Sequence, residues 1–155
     1  MIHNIQSAYY GEIYGIAFFN HYLNHYAHRK SQTLWQTLIE VEELTAEKLK
    51  PILLVNGIDT ENQHQEMLDK GLADAAKWIE LPWLELVATL LKWVEPYEMK
   101  YRAWYEEASQ HYSISEREAI RLIADHETAI YHCWQQYYIG ESGLPALNKF
   151  LAKYQ

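Results

Sequence analysis

The chain has 155 residues, enough for one domain of common size with a real hydrophobic core. Almost half of it is apolar, with six Trp and thirteen Tyr, and Gly and Pro are scarce. That composition excludes a disordered chain and favours long helices over turn-rich β structure. The net charge of −8 argues against a nucleic-acid partner, because phosphates need a basic face.

The single cysteine, Cys133, excludes an internal disulfide and any Cys-based zinc or iron–sulfur site. Met1–Gly11 lacks the basic region and apolar run of a signal peptide. The best apolar stretch, Leu81–Val94, is interrupted by Glu85 and Lys92 and is too short to span a bilayer. The expectation is a cytoplasmic protein with no membrane partner.

In chain order, helix A is expected from about Asn4 to His28, with Ile5, Ala8, Glu12, Ile16, Phe19, Leu23 and Tyr26 at three- and four-residue steps. Helix B is expected over Thr33–Val55, opened by a capping box of Thr33 and Gln36 and stopped by Asn56-Gly57. Its stripe is Leu34, Leu38, Ile39, Glu42, Ala46, Leu49 and Leu53. A further helical stretch, Thr60–Glu80, buries Met67, Leu68, Leu72, Ala75, Ala76 and Ile79. Helix C runs over Pro82–Ala108, with Leu84, Ala88, Leu91, Glu95, Glu98, Arg102 and Tyr105 on one face. Pro96 should bend it. Ser113 or Ser115 caps helix D, and Ser115 with Glu118 has capping-box spacing. Helix D carries Ile120, Ile123, Glu127, Ile130, Tyr131, Trp134 and Tyr138, ends at Gly140, and precedes a short helix over Ala146–Tyr154.

Four glutamates therefore occupy apolar-stripe positions, one per main helix: Glu12, Glu42, Glu95 and Glu127. A buried carboxylate is costly unless a cation, proton or donor offsets it. On helix C, Glu98 is the alternative to Glu95. Levels match for Glu95 and Glu127, whereas Glu12 and Glu42 are offset by about seven residues, on the order of 10 Å.

The order hairpin, helical connection, hairpin, tail helix resembles the ferritin-like superfamily. So do the stretches Gly11–Phe19, Thr45–Leu53, Glu95–Tyr97 and His126–Glu127. The resemblance implies an all-α fold: a ferritin-like four-helix bundle in one domain, residues 1–155, with a helical crossover between helices B and C and a short C-terminal helix. It also implies a carboxylate-bridged di-metal site for iron or manganese, held by Glu12, Glu42, Glu95 and Glu127 and supported by His126. The implied activity is iron or oxygen handling with oxidoreductase chemistry on oxygen or a small molecule. The family pattern places His three residues after the helix B and helix D glutamates; here those positions hold Thr45 and Ile130. The alternative is a metal-free helical bundle serving as a protein-interaction or small-ligand module, its carboxylates held by Tyr, Trp, Arg102 and His126.

His21, His25 and His28 share a face of helix A at spacings of four and three, and read as surface histidines able to bind metal adventitiously. Glu98 and Arg102 read as an ordinary helix ion pair. Helix A carries more aromatic residues than one core stripe holds, which points to a second contact face and to a homodimer through helices A and B. Cys133 reads as a buried, inert thiol.

Overall fold

A computed structural model describes residues 1–108 and 111–155. All regular structure among them is helical: α1 (Ile2–His25), α2 (Gln32–Val55), α3 (His64–Trp78), α4 (Trp83–Ala108), α5 (Ile114–Tyr138) and α6 (Leu144–Tyr154), with a 3-10 turn at Arg29–Ser31. No helix of the described residues is long and apolar enough to cross a membrane. The chain forms two compact units, Met1–Leu81 and Pro82–Gln155.

The first unit is the α1–α2 hairpin with α3 packed on α1. Its core is Ile5, Phe18, Tyr22, Leu34, Trp35, Leu38, Leu49 and Leu53, each at most 2% exposed. The α1–α2 connection is not closed by the expected Thr33–Gln36 box. Ser31 occupies the N-cap position. Its hydroxyl donates to the His28 carbonyl at 2.6 Å and accepts from Trp35 Nε1 at 2.8 Å. Thr33 is the second residue of the helix, and its carbonyl accepts from the Thr37 hydroxyl. The α2 stop is as expected: Gly57 has φ +71, and Ile58 N–H and Gly57 N–H close a Schellman motif on Leu53 and Leu54.

The second contact face expected from the aromatic load of α1 exists, and the chain itself covers it. The hydroxyls of Tyr10, Tyr14, Tyr22 and Tyr26 donate to Asn62, Asp74, the Ala75 carbonyl and the Leu81 carbonyl. The Tyr14 hydroxyl, with Lys77 beside it, holds the Asp74 carboxyl below its ordinary range. The α3 seam is shifted from the expected phase. Gly71 and Ala75 are buried, whereas Leu72 and Ala76 face solvent. Only a residue without a side chain fits at Gly71, where α3 meets the α1 backbone at Tyr14.

The second unit is the α4–α5 hairpin with α6 packed on α5. Ser113 caps α5 in a reciprocal box with Glu116, so the first of the two candidate caps is used. Gly140 ends the helix at φ +87. The buried stripe of α4 is Leu86, Val87, Leu90, Val94, Glu98 and Tyr101, one position away from the expected phase, and Leu84 is exposed. That of α5 runs through Ala119, Leu122, Ile123, His126, Ala129, Ile130, Cys133 and Trp134. Burial raises the Cys133 thiol well above its ordinary range, as expected of an inert thiol.

Candidate metal centre

Glu12 and Glu42 are buried, 2% and 5% exposed, as their stripe positions require. Their levels agree better than expected. α1 ends at His25 rather than His28, and α2 begins one residue earlier than expected. Glu12 then lies thirteen residues before the end of α1, and Glu42 ten residues after the start of α2. The remaining offset is about 4.5 Å along the axis, which two glutamate side chains span. Carboxylate oxygens of the two lie within 4.8 Å of each other.

Gly15, one turn after Glu12, makes room for this pair. A Cβ there would lie 2.6 Å from the Glu42 Cδ and 2.7 and 2.9 Å from its two oxygens. The Glu42 carboxylate thus rests against the bare backbone of α1. Gly15→Ala is expected to push that flexible carboxylate aside. Should the pair hold a cation, its affinity is expected to fall at least about tenfold, the scale on which supporting contacts tune metal affinity. The melting temperature should change little, because the methyl displaces the end of a side chain and replaces a helix-weakening glycine. Metal titration alongside thermal unfolding checks both halves.

Two carboxylates this close and this dry repel each other unless a proton or a cation lies between them. Thr45 stands three residues after Glu42, where the resemblance implies His. The Thr45 hydroxyl donates to the Val41 carbonyl at 2.9 Å.

In the second unit the expected residues divide. His126 is 2% exposed and occupies the α5 stripe itself. Its Nδ1 is 3.6 Å from Glu127 Oε1. Glu127 is only half-buried, one step off that stripe. The expectation that Glu127 lies in the dry interior with His126 flanking it is therefore reversed. In the sequence the three-four spacing through Ile123, His126 and Ala129 competes with the equally regular one through Ile123, Glu127 and Ile130.

Glu95 is exposed, contrary to its expected place in the core. Its Oε1 accepts from the Tyr131 hydroxyl at 3.4 Å. Burial and then the adjacent Glu95 raise the Tyr131 pKa. Glu98 is the buried glutamate of α4, 5% exposed. Its carboxylate is 3.0 Å from Arg102 Nε and accepts from the Thr128 hydroxyl at 3.4 Å, which bears out the helix ion pair. The α4 carboxylate that is buried is thus already neutralised, and the one that is not neutralised is wet.

Within the first unit, Glu12 and Glu42 together offer carboxylate oxygens to one cation. Of the expected metal ligands, Glu12 and Glu42 are buried in the first unit and His126 in the second, whereas Glu95 is exposed and Glu127 half-buried. Of the three histidines expected to share a face of α1, two do. His21 and His25 lie on the helix with ring centres 4.7 Å apart, and His28 follows its end. Burial, and then the neighbouring His25, hold the His21 pKa below its ordinary value. No known family model matches the chain, and neither a curated protein nor a solved structure is similar to it.

Proposed function

We propose that this is a metal-binding helical protein of ferritin-like type, in which Glu12 and Glu42 hold a divalent cation, iron or manganese. The observation that carries the reading is the buried Glu12–Glu42 pair, its oxygens within 4.8 Å and its space kept open by Gly15. Two carboxylates suit iron or manganese, since oxygen donors favour the harder ions. Such an ion would supply Lewis acidity and, for iron, electron transfer toward oxygen or a small oxidant. The chain contributes the negative charge, a dry environment and a fixed spacing between the two α-helices that carry the glutamates.

Elemental analysis of freshly purified protein, and of protein loaded anaerobically with ferrous iron, tests this directly. Close to one metal per chain is expected. Glu12→Gln and Glu42→Gln should each abolish loading. Metal should also raise the melting temperature of the unmodified protein but not of the Gln variants, because a ligand that binds only the folded state stabilises it. Trace metal throughout, with both Gln variants more heat-stable than the unmodified protein, would overturn the reading. The carboxylates would then share a proton in a metal-free bundle, and removing one charge would relieve their repulsion.

A further inference from the structure

The His21–His25 pair is separate from the buried carboxylates. His21 is nine residues beyond Glu12 on the same helix, about 13 Å along its axis. We infer that His21 and His25 form a second metal site, a two-nitrogen chelate for a borderline divalent cation of the copper, nickel or zinc class.

The geometry carries this. Residues four apart on a helix stand on adjacent turns of one face, the spacing with which paired histidines grip a single ion. Here the ring centres are 4.7 Å apart and the ring planes meet at 45°. A metal–nitrogen bond of about 2.0–2.1 Å places each imidazole centre about 3.2 Å from the ion, and centres at the observed separation then subtend about 95° there. That angle lies between the right angle of square-planar or octahedral coordination and the wider tetrahedral one. The pair therefore has the spacing of a chelate before any ion arrives.

The turn that carries it is held in place. Tyr22, between the two histidines in sequence, is fully buried, and its hydroxyl donates to the Ala75 carbonyl at 2.9 Å. The histidines themselves reach solvent, His21 in part and His25 as an exposed residue. Water or another small ligand can complete the coordination. An all-nitrogen donor pair selects differently from the buried oxygen-rich pair. Imidazoles suit copper, nickel and zinc, whereas carboxylates suit the harder manganese and magnesium. The chain would thus carry two metal sites of different preference.

Copper(II) titrated into the intact protein, followed by calorimetry and by electron paramagnetic resonance, tests the inference. One copper per chain is expected at this pair, with a hyperfine pattern from two nitrogens. His21→Ala and His25→Ala should each lower the affinity at least about tenfold, since loss of even an outer-shell partner costs that much. Both side chains reach solvent, so both variants should fold normally. Protein carrying Glu12→Gln and Glu42→Gln should bind copper at this pair unchanged, which separates this site from the buried one. Equal affinity in the unmodified protein and both histidine variants would mean an adventitious ion only and would overturn the inference. So would a single-nitrogen signal, or loss of the copper in the glutamine variants.

Discussion

Trp35→Ala is expected to destabilise the protein by about 3–5 kcal/mol, the cost of emptying a large aromatic site in a packed interior. Trp35 is 1% exposed. Its ring is stacked on Tyr22 with centres 4.9 Å apart, lies 6.2 Å from Phe19, and meets Tyr26 edge-on at 6.0 Å. Its indole N–H also donates to the Ser31 hydroxyl, which in turn donates to the His28 carbonyl. One side chain therefore fills the core between α1 and α2 and ties down their connection. The loss should appear as a fall in melting temperature on the order of 10 °C. Trp35→Phe separates the two contributions. It keeps most of the aromatic contact and forfeits the hydrogen bond, so a smaller loss is expected. If Trp35→Ala unfolds at the same denaturant concentration as the unmodified protein, this account of the hairpin is wrong.

The same residue bears on the metal reading. The short connection that ends at Ser31 and is held by Trp35 sets how far α2 slides along α1. That slide decides whether Glu12 and Glu42 meet. Trp35→Ala protein that remains folded at low temperature should therefore load metal poorly as well.

Gly71→Ala has the second largest expected effect, about 3 kcal/mol of destabilisation, at the upper end for overpacking. A Cβ at this position would run into the Tyr14 carbonyl oxygen and come within 3.1 Å of the Ala17 Cβ and 3.3 Å of the Phe18 backbone nitrogen. Those atoms belong to the frame of α1, so α3 has to lift as a whole. The lift strains the Tyr14–Asp74 and Tyr22–Ala75 hydrogen bonds together. Gly11→Ala is the matched control. Nothing lies within 4 Å of a Cβ at Gly11, and replacing a helical glycine there should add about 0.5–1 kcal/mol of stability. Urea unfolding of the two variants gives the comparison, and equal midpoints would refute the close α1–α3 seam.

Gly15 and Gly71 look alike in the sequence and differ in what an added methyl would strike. At Gly15 it meets the flexible end of a glutamate, so the expected consequence is functional. At Gly71 it meets backbone, so the expected consequence is loss of stability. Neither role has a signal in the sequence, because a residue without a side chain leaves no trace in a hydrophobic pattern.

The amino-acid sequence by itself determined the helices and their stops. Three-four spacing marks an amphipathic helix whatever it packs against, and Gly57 and Gly140 take positive φ where other residues are strained. It also determined that Glu12 and Glu42 are buried, since each falls within a run of apolar residues at three- and four-residue steps. Tertiary structure alone decided the choices between near neighbours on a helix. Glu95 against Glu98, and His126 against Glu127, turn on a rotation of one residue, about 100° around the helix axis, and both candidates border an apolar residue. The packing of α4 and α5 on each other settles that rotation, because Leu86, Leu90 and Val94 on one side and Ile123 and Ile130 on the other bury more apolar surface in one phase than in the next.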